Sequence, residues 1–100
     1  MSTDTVGEWL ECIVDTDYEI YSEYSYPIRR KGSTKIINES DDGQGYIQCS
    51  MNRNKYLKHR IVATQWIPNP DKLSMIIHLN GNKTDNHIQN LQWAKNRKNA

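Results

Sequence analysis

The sequence predicts an α+β fold, and three observations carry that prediction. Apolar and polar residues alternate in short stretches as far as residue 51, the period of half-buried strands. The apolar spacing then changes to four over 55–67, which marks one face of a helix. Two further alternating stretches follow, the first of them running into an Asn-Gly turn. The expected order is a small antiparallel β module, a helix, a strand, a loop, a strand and the start of a last helix.

Each element has a local reason. Residues 1–6 read as a frayed start, after which Trp9, Leu10 and Ile13 supply the first buried side chains. Tyr18-Glu19-Ile20-Tyr21-Ser22 alternates as a strand does, and Tyr26 to Arg30 is a second strand whose Pro27 suits an edge. Lys31-Gly32-Ser33 turns the chain and Thr34 to Ile37 returns it. Asp41 to Gly45 is a loop by composition, and Tyr46 to Met51 alternates again. Leu57 with Ile61, and Val62 with Trp66, define the helix, which Pro68-Asn69-Pro70 ends because proline disfavours helical geometry at the residue before it. Ser74 to Leu79 and His87 to Trp93 are strands. Ala94 to Asn99 begins a helix that reads as cut short at Ala100.

Composition excludes several classes. The chain has 100 residues, enough for one small domain or two sharing a core, and 36% of them are hydrophobic. No apolar run approaches the roughly 18 residues of a membrane helix, and the first residues lack a secretory signal, so an intracellular protein with no membrane partner is expected. Cys12 and Cys49 are too few for a disulfide framework and lack the spacing of a zinc site, which leaves them as buried thiols. The near-neutral total charge conceals a division: residues 1–50 carry a net −6 and residues 51–100 a net +7. Such a basic half suits a polyanion, although the halves could also neutralise each other by packing together.

Chemistry concentrates between Ile77 and Asn99. His78 sits at a strand end that solvent can reach, where an imidazole is usable as a base. Asn90, on the returning strand, could accept Nδ1–H of His78 and fix the ring. On these residues alone the plainer reading, a strand histidine among turn-forming asparagines, stands ahead.

The order of the motifs changes that balance. The stretch HRIVATQWIPNPDKLSMIIHLNGNKTDNHIQNLQWAKNRKN, His59 to Asn99, resembles the HNH homing endonucleases of mobile introns and viral genomes. Residues from Trp9 through YEIYSEYSYPIRRKGSTKII and GYIQCSM are similar to the small NUMOD4 module that usually precedes that nuclease. The resemblance implies a NUMOD4-like module over 7–51 and, over 52–100, a ββα-metal unit of hairpin and helix. It implies hydrolysis of DNA phosphodiester bonds, with His78 as the base that activates water, Asn90 orienting it, and Asn99 as ligand to one divalent metal, Mg²⁺ or Mn²⁺. No organic cofactor is implied, and the partner is double-stranded DNA rather than a small-molecule substrate; a viral origin would place the protein in host cytoplasm or nucleus. His59 matches a structural or phosphate-facing histidine, and Trp93, Leu91, Trp66 and Ile61 match core positions.

One departure bears on this directly. The family has an aspartate, its anionic metal ligand, before the histidine, and Ile77 stands there. Isoleucine offers no oxygen to a hard cation; Asp85 is a possible substitute. Two expectations follow. One is a metal-dependent endonuclease; the other is a non-cleaving DNA-binding relic. In either, Arg29, Arg30, Lys31, Lys58, Arg60, Lys83 and Arg97 are the expected DNA contacts, with Lys55, Lys95 and Lys98 beside them. A protein-binding role for the acidic N-terminal segment rests on charge alone.

Overall fold

The computed structural model describes residues 7–95. The predicted α+β class holds: eight short antiparallel strands surround one α-helix among the described residues. β1 (Trp9–Glu11), β2 (Tyr18–Tyr21) and β3 (Ile28–Arg30) form the first sheet in that order. Its two faces follow from the period of two. Ile20 pairs with Ile28 and both are fully buried, whereas Glu19 pairs with Arg29 on the opposite face, where the two ionise against each other at 3.0 Å. Trp9 and Tyr21 share that outer face with ring centroids 5.1 Å apart, and the Arg29 guanidinium lies 3.9 Å from the Trp9 ring.

β4 (Glu39–Asp41), β5 (Ile47–Met51) and β6 (Asn54–Leu57) make the second sheet. The β5–β6 connection is Asn52-Arg53, both with positive φ (50° and 70°), the backbone of a two-residue hairpin turn. Asn52 also ties this turn to the first sheet: its Nδ2 donates to Asp15 and Asp17, and its Oδ1 accepts from Arg30 at 2.6 Å. The hairpin runs across the 51/52 boundary expected between the two units.

Helix α1 (Lys58–Trp66) buries Ile61, Val62 and Ala63 against a core that includes Cys12, Ile20, Ile28 and Met51. It stops at Ile67, whose ψ of 115° is extended, as a residue before proline must be. β7 (Met75–His78) and β8 (Leu91–Ala94) then pair, with Ile76 opposite Trp93 and His78 opposite Leu91. Leu91, like Ile61, is buried as expected, and Trp66 and Trp93 are half-buried.

Several expectations need correcting. The helix begins at Lys58 because residues 54–57 are spent on pairing with β5. Thr34 to Ile37 makes a single bridge, Ile36 with Arg29, instead of a strand. Tyr26 lies outside its strand because its φ is +57°. Ile13 is 57% exposed, since Cys12 next to it takes the inward position. Residues 88–90 form a 3-10 turn before β8, so Asn90 is not a strand residue. Ala94 closes β8 and Lys95 follows outside any regular element, so the expected helix does not begin at Ala94; Arg97, Lys98 and Asn99 lie outside the described residues.

Candidate active-site cleft

The end of β7 and the start of α1 bring two histidines together under a tyrosine. His78 closes β7, His59 lies in the first turn of α1, and Tyr46 enters from the turn before β5. The His59 and His78 rings meet edge to face at 5.0 Å, and Tyr46 lies 5.0 Å from His59 and 5.9 Å from His78. A cleft of about 300 Å³ opens beside them, lined by Tyr46, Met75, Ile76, Ile77, His78, Gly81 and Lys83.

Asn86, in the loop between β7 and β8, is the partner of His78. Its Oδ1 lies 2.8 Å from His78 Nε2, and the side chain is only 3% exposed. An amide oxygen only accepts, so Nε2 carries the proton and Nδ1 keeps the lone pair. In that tautomer the accepting atom of the ring is Nδ1.

Asn86, and not Asn90, is the asparagine hydrogen-bonded to His78. The Asn90 side chain instead clamps the loop: Oδ1 accepts from Asn80 N at 3.0 Å, and Nδ2 donates to Asn80 Oδ1 and to the Asp85 carbonyl. Its carbonyl also accepts from Leu79 N at 2.8 Å. Asn80 and Asn82 each accept from the backbone two residues on, and Gly81 takes φ +77°, so the asparagines shape the loop that presents Asn86.

His59 is 5% exposed, which excludes a phosphate-facing role, and its Nδ1 has no partner among the described residues. Burial, with His78 and Arg60 nearby, pushes its pKa down to about 4, and Asp42 opposes this weakly. Asp85 is occupied locally: Oδ1 accepts from His87 Nδ1 at 2.6 Å and Oδ2 from Asn80 Nδ2. The His87 hydrogen bonds hold its carboxyl below the usual range.

These donors do not suit a hard divalent cation. Ile77 lines the cleft where a carboxylate would be needed, Asp85 faces His87 and Asn80, and no three His, Cys, Asp or Glu side chains converge among the described residues. Asn99, the other expected ligand, lies outside them.

The expected DNA contacts fare unequally. Lys58 is 2% exposed and paired with Glu39 of β4, so its ammonium is not presented to a phosphate as expected. Lys31 pairs with Glu11, Arg29 with Glu19, and Arg30 with Tyr18 and Asn52. Arg60 donates to the Ser74 carbonyl and lies 5.9 Å from the Trp93 ring. Lys83, at the cleft, donates to the Gln44 carbonyl and lies 4.8 Å from the Tyr46 ring.

Comparison with known proteins bears on the half that holds this cleft. Residues 56–100 match the HNH endonuclease family. The chain is 34% identical over 99 residues, 95% of its length, to an uncharacterized HNH endonuclease (L245) of Acanthamoeba polyphaga mimivirus, covering 29% of that protein. It is 34% identical over 76 residues to the SPbeta prophage-derived "putative HNH homing endonuclease YosQ" of Bacillus subtilis, covering 76% of this chain and 44% of the relative. A second mimivirus HNH endonuclease, L247, is 28% identical over 74 residues. The chain thus spans less than half the length of these relatives. No solved structure matches it. The HNH match starts inside β6, so it takes in α1, both strands of the β7–β8 hairpin and every lining residue of the cleft except Tyr46. No helix of the described residues is long and apolar enough to cross a membrane.

Proposed function

We propose that the HNH-matching half acts on double-stranded DNA as the nuclease unit of a homing-type endonuclease, with His78 as the base that takes a proton from the attacking water. The observation that supports this best is the His78–Asn86 pair, which leaves Nδ1 unprotonated beside an open cleft. Lys83 lines the cleft and Arg60 lies on α1 with its side chain exposed, and phosphate contacts are assigned to them. Residues 7–51 are read as a NUMOD4-like module joined to the nuclease unit through the β5–β6 hairpin.

Ile77 favours a second reading, binding without cleavage. Nicking of supercoiled plasmid in Mg²⁺ and in Mn²⁺ by wild type, His78→Ala and Ile77→Asp separates the two. Cleavage by wild type that His78→Ala abolishes supports the nuclease. Cleavage that survives His78→Ala removes His78 from its role. Silence in wild type with activity in Ile77→Asp supports the binding reading, as does salt-sensitive DNA affinity without nicking in any variant.

A further inference from the structure

We propose that His59 is a positioning residue for His78: its buried ring stands edge-on to the His78 imidazole and, with Tyr46, holds that ring in the orientation that meets Asn86. This deepens the nuclease reading and rests on it for its catalytic meaning. The contact itself is a property of the ring, however, and can be read without cleavage.

Three observations carry the inference. Among the described residues the His78 ring is fixed by a single hydrogen bond, Nε2 to Asn86, and one such bond leaves the ring free to rock about it. The remaining restraint is aromatic: His59 at 5.0 Å and 63°, and Tyr46 at 5.9 Å and 38°, stand on two other elements of the fold. The second observation is the cost of His59. Its Nδ1 is buried without a partner, which a leucine of similar size would avoid, so packing volume alone does not account for an imidazole there.

The third is charge. A base that accepts a proton becomes cationic, and a cation 5 Å away would oppose that step. His59 does not, because burial and its neighbours keep it uncharged near neutrality. The charged and titratable groups facing the pair come from every adjoining element: Asp42 from the turn after β4, Tyr46 from the turn before β5, Arg60 from α1 and Lys83 from the loop after β7. Of these, Lys83 is held against the Tyr46 ring and the Gln44 carbonyl.

Nitrogen-detected NMR of ¹⁵N-histidine-labelled protein tests the proposal at pH 7. The expected result for wild type is one His78 tautomer, protonated at Nε2 and in excess by about tenfold or more, with ring-proton NOEs to His59. In His59→Leu the excess falls toward an even mixture, and in His59→Phe, which keeps a ring, it is retained. Where the protein cleaves, His59→Leu lowers kcat by about 10- to 100-fold with KM for DNA unchanged. A folded His59→Leu with the His78 tautomer unaltered overturns the proposal, as does loss of the excess in both variants. Should the leucine variant not fold, the wild-type spectrum still decides: two His78 tautomers, or no NOE between the rings, overturns it. Plasmid nicking plays no part in these readouts, so a chain that does not cleave leaves the outcome unaffected.

Discussion

His78 Nε2 lies 2.8 Å from the Oδ1 of Asn86, and that amide is itself 97% enclosed by protein. A side chain fixed by its surroundings fixes what it bonds, so Asn86 sets the tautomer from below while the cleft side stays open. Asn86→Ala should leave Nε2 without an acceptor and let the proton move to either nitrogen. The expected outcome is a mixed His78 tautomer and, for a cleaving protein, a rate lower by about 10- to 100-fold. Stability should fall by only about 1 kcal/mol, because the half-exposed ring can turn to water. NMR tautomer measurement and urea denaturation check the two parts separately.

Asn90 acts one step further out. Its amide joins Asn80 to the Asp85 carbonyl, next to Asn86, without touching His78. Asn90→Ala should therefore loosen the loop over 80–86 as a unit. Faster amide exchange at Asn80 and Asp85 is expected, with a stability loss of about 1–2 kcal/mol for two or three lost bonds. The His78 tautomer should shift less than in Asn86→Ala; an equal or larger shift would reassign the orienting role to Asn90.

Much of this architecture was legible in the sequence, and the exceptions share physical causes. The helix end at Ile67 and the turn at Gly81 were readable because proline and glycine act locally. The Asn52-Arg53 hairpin was not, because positive φ there falls on residues with no glycine beside them to signal it. With the turn hidden, β6 was read as the first turn of α1. The site shows the same divide. His78 could be singled out from its place in the motif, but the choice between Asn86 and Asn90 depends on how the loop folds back, which spacing does not encode. Lys58 reads as a solvated cation for a related reason: its ion-pair partner Glu39 comes from β4, roughly twenty residues away in the chain.

The Lys58–Glu39 pair is asymmetric, and that asymmetry is measurable. Lys58 is 2% exposed whereas the Glu39 side chain is 29% exposed. Removing the exposed partner by Glu39→Ala strands a buried ammonium, at a cost of about 3 kcal/mol or more. Lys58→Met removes the buried charge and keeps most of the volume, and the freed carboxylate can reach water. Its expected cost is about 1 kcal/mol or less. Urea midpoints of the two variants should therefore rank Glu39→Ala well below Lys58→Met; the reverse order would mean that Lys58 is not buried in solution.

His59 also gives the fold a pH dependence whose sign can be worked out. In the unfolded chain a histidine titrates near about 6.5, and in the fold burial lowers this one to about 4. Between those values the unfolded state binds the proton and the folded state does not, so acid favours unfolding. The stability is intact above about pH 6.5 and is lost progressively as pH falls toward 4, by about 3 kcal/mol at the limit of the shift. Asp85 works in the same direction at lower pH, because its depressed carboxyl must be protonated, and its exposure keeps that contribution small. His59→Phe keeps a ring in the core and removes the titration. Urea denaturation of both proteins at pH 7 and pH 4.5 should therefore show a smaller loss on acidification in the variant, even though its stability at pH 7 is set by how well phenylalanine fits. Equal losses in the two would show that His59 protonates in the folded state and that its ring is not sealed beneath Tyr46.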